Sequence, residues 1–154
     1  MAANISIVRS NLVLDSQFGN VTAPANVPTW HMGLSATPIN SDGSGVSEPI
    51  IVPTGYRRLA IPNSQGGGGS WTNAVNGKKS NAIVFAFPLF EVAPTISGMT
   101  GDLFATHWFL STSATDTTSS AIQYMGNFTN RVWLGLNAEI RIPIGEIVLE
   151  FDLV

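Results

Sequence analysis

EIRIPIGEIVLEFDL, residues 139–153, is the stretch whose reading decides the fold class. Ile140, Ile142 and Ile144 share one face of an extended chain, Gly145 turns it, and Ile147, Leu149, Phe151 and Leu153 then alternate with Val148, Glu150 and Asp152. A two-residue period is what a strand buried on one side requires, because successive side chains point to opposite faces. Two such runs joined at a glycine read as a hairpin. Pro143 has no N–H to give to a ladder, which places its strand at an edge or a bulge.

Similar signals recur upstream. Thr29 to Ala36 sets Trp30, Met32 and Leu34 on one face and His31, Gly33 and Ser35 on the other. Arg57 to Ile61, Asn81 to Pro88, Phe104 to Ser111, Ala121 to Asn127 and Val132 to Leu136 are further strands, rich in β-branched and aromatic residues between polar breaks. Pro38 to Gly55 and Ser64 to Lys79 carry the Gly, Pro, Ser and Asp of long surface loops, and Ser111 to Ser120 reads as a hairpin loop. The run GGGGS, Gly66 to Ser70, looks like an engineered linker but lies between strand segments with no second domain to join, so it reads as native.

Near the N-terminus, Ile5, Val8, Leu12 and Phe18 fall at helical spacing, while Ile7, Val13 and Leu14 broaden the stripe. The pattern suits a short helix or an extended arm that packs on a neighbour. The expected fold is mostly β: an antiparallel β-sandwich or barrel with a short N-terminal helix or arm, in a single domain over residues 1–154 with the arm at about 1–18.

Composition narrows the functional classes. Hydrophobic residues make up 44% of the 154, but charged residues only 11%, far below the usual share of roughly 25%. Ser, Thr, Asn and Gly must therefore cover the surface, and a surface with few charges packs beside copies of itself at low desolvation cost. Net charge is −3, with Arg57-Arg58 and Lys78-Lys79 the only basic pairs, so nothing tracks a phosphate backbone and no nucleic-acid partner is expected. Cysteine is absent, which excludes a disulfide framework and thiolate metal sites. The first residues show no signal-peptide pattern and no window reaches the roughly 18 apolar residues of a membrane span, so a chain made in the cytoplasm with no membrane partner is expected.

Catalytic patterns are weak. Asp102, His107 and Ser111 are the residue types of a hydrolase triad, but along one strand they cannot converge. His31 and His107 lack the short spacing of metal ligands, and the glycine run lacks the Lys-Ser/Thr of a phosphate loop. No enzyme activity, metal or cofactor is expected. Trp71, beside the glycine loop, is the aromatic that reads as exposed, fit to stack on a sugar or anchor an interface; the alternative is a lid folded over the end of the sandwich. Asn20-Val21-Thr22 and Asn127-Phe128-Thr129 match a glycosylation sequon, which carries no weight without a secretory signal.

Several segments, taken in order, resemble a family of small tailed-phage virion proteins, labelled tail-fibre or head-decoration proteins. They are APANVPTWHMGLSATP at Ala23 to Pro38, GYRRLAIPN at Gly55 to Asn63, KKSNAIVFAFP at Lys78 to Pro88, THWFL at Thr106 to Leu110, IQYMG at Ile122 to Gly126 and PIGEIVLEF at Pro143 to Phe151. The chain departs from the family in its longer Pro38–Gly55 and glycine loops and in Glu91 to Gly101, so loop contacts do not carry over. The resemblance implies a virion role without catalytic residues. Its leading form is a capsid decoration or cement protein bound to the major capsid protein; the alternatives are a tail or fibre-associated protein and a carbohydrate-binding module built on Trp71. A dimer or trimer is expected, with Ile5, Ile7, Val8 and Trp71 as interface residues and Ala2 to Val8 as an attachment arm dispensable for the fold.

Overall fold

The computed structural model describes residues 2–19, 26–65 and 67–150. Among the described residues, nine strands and one α-helix follow in the order β1 (Ala2–Ile5), α1 (Ile7–Phe18), β2 (Thr29–Ser35), β3 (Leu59–Pro62), β4 (Lys78–Ser80), β5 (Phe85–Ala86), β6 (Leu103–Ser111), β7 (Ile122–Leu134), β8 (Arg141–Ile142) and β9 (Val148–Glu150). The fold is mostly β with one short N-terminal helix, as the sequence predicts. Seven strands form one sheet in the order β3-β2-β6-β7-β1-β9-β4, and β5 and β8 form a second, two-stranded sheet. Pairing is antiparallel throughout except between β1 and β9, which run parallel.

The core lies where the two sheets meet. Trp30, Met32 and Leu34 of β2, with Leu103, Ala105, Trp108 and Leu110 of β6, pack with Phe85, Phe87, Phe90, Ile140, Ile142 and Ile147 from the second sheet and its flanking loops. In β6 the register shifts between Ala105 and His107, so the inward set passes from odd to even positions and all four apolar side chains reach the same core. Asn81 is buried and joins two turns: its Nδ2 donates to the carbonyls of Ile83 and Pro143 at 2.8 Å, and its Oδ1 accepts from the Ile147 N–H at 3.0 Å. A buried amide with these groups met holds the β4–β5 connection against the β8–β9 turn.

The opposite face of the large sheet is also covered. Phe109, Ile122 and Met125 form a second cluster with Ile39 and Val46 of the Pro38–Gly55 loop. Two strand glycines make room for aromatic rings across the ladder. Gly33 pairs with Phe109 and Gly126 with Trp108. A Cβ at Gly33 would overlap the Phe109 ring, and one at Gly126 would lie 2.7 Å from Trp108 Cζ2. Glycine in a strand marks such close approaches.

Four expectations are corrected. Residues 2–5 are no free arm: β1 lies between β7 and β9, with Asn4 opposite Met125 and Ala3 opposite Leu149. Among the described residues the closing hairpin does not form, since β8 pairs with β5 and β9 with β1 and β4; Ile140 and Ile142 are buried together as the alternation predicts, but Ile144 is exposed and the residues of β9 are all half-buried. The segments at Ala121 to Asn127 and Val132 to Leu136 are joined in one thirteen-residue strand. Asn81 to Pro88 holds only the two-residue β5, because the ladder segment lies earlier, at Lys78 to Ser80. Phe151 and Leu153, expected from the sequence in the last strand, Asn20 of the first sequon and Gly66 lie outside the described residues.

Candidate functional site

Trp71, singled out from the sequence as exposed, is buried at 2% exposure with its ring edge-on to Phe85, 5.4 Å between centroids. It belongs to the main core cluster, and its N–H donates to Ser64 O at 3.0 Å. An exposed platform for a sugar is therefore not available at Trp71. His107 and Ser111 are four residues apart on β6, roughly 13 Å of strand. His107 Nδ1 lies 2.8 Å from Thr106 Oγ1, and Ser111 Oγ accepts the Ser113 N–H. His31 stands opposite Ser111 and His107 opposite Ser35, so the two histidines are as far apart along the ladder. Among the described residues no group of three or more His, Cys, Asp or Glu side chains could hold a metal, and no helix is long and apolar enough to cross a membrane.

The most concentrated polar cluster is structural in its geometry. Arg58 donates from Nε and Nη2 to the two oxygens of Glu48 at 2.8 and 2.7 Å, and from Nη1 to the carbonyls of Ser113 and Asp116 at 2.8 and 2.9 Å. The Tyr56 hydroxyl donates to Glu48 Oε1 at 2.7 Å and accepts the Leu34 N–H at 2.9 Å. Burial first, and then the neighbouring Glu48 charge, raises the Tyr56 phenol well above its ordinary value. This knot ties the Pro38–Gly55 loop and the 111–120 loop to β2, and its groups are saturated by one another, leaving nothing aimed at a ligand. Both stretches read as loops from the sequence; their docking through Arg58 was not legible.

Exposed apolar side chains are the surface feature that the fold leaves unexplained. Ser6 caps α1, accepting the Arg9 N–H at its Oγ, 3.2 Å. On this helix Ile7, Leu14 and Phe18 are 49%, 53% and 83% exposed, and with Asn11 they fall within about 60° of one another around the axis. The helix residues that are partly covered are Arg9, Ser10, Val13 and Ser16, on the other side. Arg9 Nε is buried there with no hydrogen-bond partner among the described residues. Leu12 is exposed as well and Val13 is partly covered, so most of the described apolar side chains of the helix face solvent, where a surface helix ordinarily turns them inward. Of the residues singled out from the sequence, Ile7 lies on this outer face, Ile5 is half-buried in β1 opposite Tyr124, and the side chain of Val8 lies outside the described residues.

A second apolar surface lies towards the far end of β7. Trp133 is 48% exposed and its ring lies against Gly135, where a Cβ would overlap it. Leu136 beyond it is exposed, and so is Leu89 in the adjoining loop, which is joined to this turn by the hydrogen bond from Asn137 N–H to Phe90 O at 2.8 Å. Nine residues of strand separate Trp133 from Tyr124, the partner of Ile5, a span of up to roughly 30 Å. Sequence reasoning placed Trp133 in a strand and missed its exposure; its position opposite Phe104, beside a glycine, is visible only with the register known. Comparison with models of known protein families finds none that matches this chain, and comparison with curated proteins finds no matching relative.

Proposed function

We propose that this protein is a structural component of a tailed-phage particle, a decoration or cement protein that coats the assembled head. The observation that carries the reading is that a charge-poor domain exposes apolar side chains in separate places, among them the outer face of α1 and the Trp133–Leu136 turn towards the two ends of β7. A protein that reinforces a shell needs two kinds of contact: one with the shell and one with a neighbouring copy. A compact domain has little reach, so it strengthens a shell by repeating at equivalent sites. Interfaces of standard size, roughly 1,200 to 2,000 Å², then suffice, and linked copies release slowly even when each contact is weak. The resemblance of the ordered strand segments to small phage virion proteins points the same way, and the major capsid protein is the partner it implies. The sugar-binding alternative rested on an exposed Trp71 and loses that support.

The test is co-sedimentation of the purified protein with phage heads that lack it. The wild-type chain is expected to bind saturably, and the double variant Trp133→Ser/Leu136→Ser to bind at least tenfold more weakly while keeping its melting temperature. Binding to isolated tails in place of heads, or to neither, overturns the reading.

A further inference from the structure

We infer that the outer face of α1 is the contact with a second copy of this chain, joined as a parallel helix pair about a two-fold axis. The inference rests on the reading of α1 as an assembly surface and names what covers it. Ile7, Asn11, Leu14 and Phe18 follow one another at spacings of four, three and four residues, the alternation of a two-helix seam, with the single polar residue, Asn11, inside the stripe. The seam carries no charge, so two identical stripes meet without burying like charges.

Asn11 chooses the partner and its direction. A primary amide both donates and accepts, so in a parallel pair Asn11 meets the partner's Asn11 and each amide satisfies the other. An antiparallel pair sets Asn11 against leucine and leaves it unmet, and so does an unrelated apolar groove. The parallel register also places Asp15 beside the partner's Ser10, whose hydroxyl can donate to the carboxylate, and sets no like charges against each other. With side chains of these sizes at these exposures, each stripe presents on the order of 400 Å² of surface, so a pair buries at most about 800 Å². That area lies below the usual range of specific interfaces and predicts a weak, reversible dimer, ordered further when copies are gathered on a particle.

The chain has no cysteine, so single substitutions report position without background. Sedimentation of the full chain over a concentration series is expected to show a monomer–dimer equilibrium, weakened at least tenfold by Leu14→Glu, a change at an exposed position that leaves the fold intact by circular dichroism. Asn11→Cys and Phe18→Cys are each expected to cross-link to their own copy through a short bismaleimide. A chain that stays monomeric at several hundred micromolar, or a dimer unaffected by Leu14→Glu, overturns the inference. Cross-linking at position 11 without position 18 overturns the parallel register. A monomer that still coats heads rejects this inference and leaves the decoration reading standing; a dimer that ignores heads does the reverse.

Discussion

Arg58 grips Glu48 through two parallel hydrogen bonds, Nε to Oε1 at 2.8 Å and Nη2 to Oε2 at 2.7 Å, with both side chains almost wholly buried. Its guanidinium also lies over the Phe109 ring, 4.9 Å from the centroid, and that ring in turn covers Gly33. Glu48→Gln removes one charge and leaves the other buried, so a loss of about 3 to 5 kcal/mol is expected in urea denaturation. Arg58→Lys is not expected to restore stability, because an ammonium cannot repeat the forked geometry or reach the carbonyls of Ser113 and Asp116 together. A loss under about 1 kcal/mol for Glu48→Gln would show that the loops are held by other contacts.

Gly33→Ala drives a methyl group into the Phe109 ring, and Gly126→Ala presses on Trp108. Each is expected to cost about 1 to 3 kcal/mol, the range for overpacking a filled core. Thermal unfolding of both variants checks this, and an unchanged melting temperature at Gly33 would contradict the stacking described.

Deleting residues 1–5 removes the strand that joins β7 to β9 and takes away the ladder partners of both. The truncated chain is expected to lose its cooperative unfolding transition. A folded truncation would restore the reading of this segment as a dispensable arm.

Acid is expected to weaken the fold in two windows. His31 is held below 6.5 by partial burial and then by the Arg58 charge, and His107 by partial burial. The unfolded chain therefore takes up these protons first on acidification. Their contribution is complete above about pH 6.5 and falls away as pH drops through the folded-state values. Asp42 and Asp116, held low by hydrogen bonds from Ser44 and Thr118, lose theirs only below about pH 4. The melting temperature should decline between pH 7 and pH 5, and His31→Gln should flatten the decline. A melting temperature that rises over that interval would contradict the assignment.

The strands that were legible are those whose alternation answers to one core: Trp30, Met32 and Leu34 of β2 lie on the predicted face. Partners were not legible, because a period of two sets faces and leaves the neighbour open. Residues 2–5 looked like an arm because so short a strand shows no pattern of its own. The face bearing Gly33 and Ser35 looked solvent-exposed, but the Pro38–Gly55 loop covers it through Arg58 and Glu48, a contact between residues that no local spacing relates. The helix was legible from its spacing, but the side it turns outward was not: Ile7, Leu14 and Phe18 would ordinarily face the core.

The central claim, that this domain coats a phage head, is tested most directly by quantitative mass spectrometry of particles separated into heads and tails. Recovery with the heads, at a copy number comparable to the major capsid protein, is expected. Recovery with the tails at a few copies per particle would contradict it.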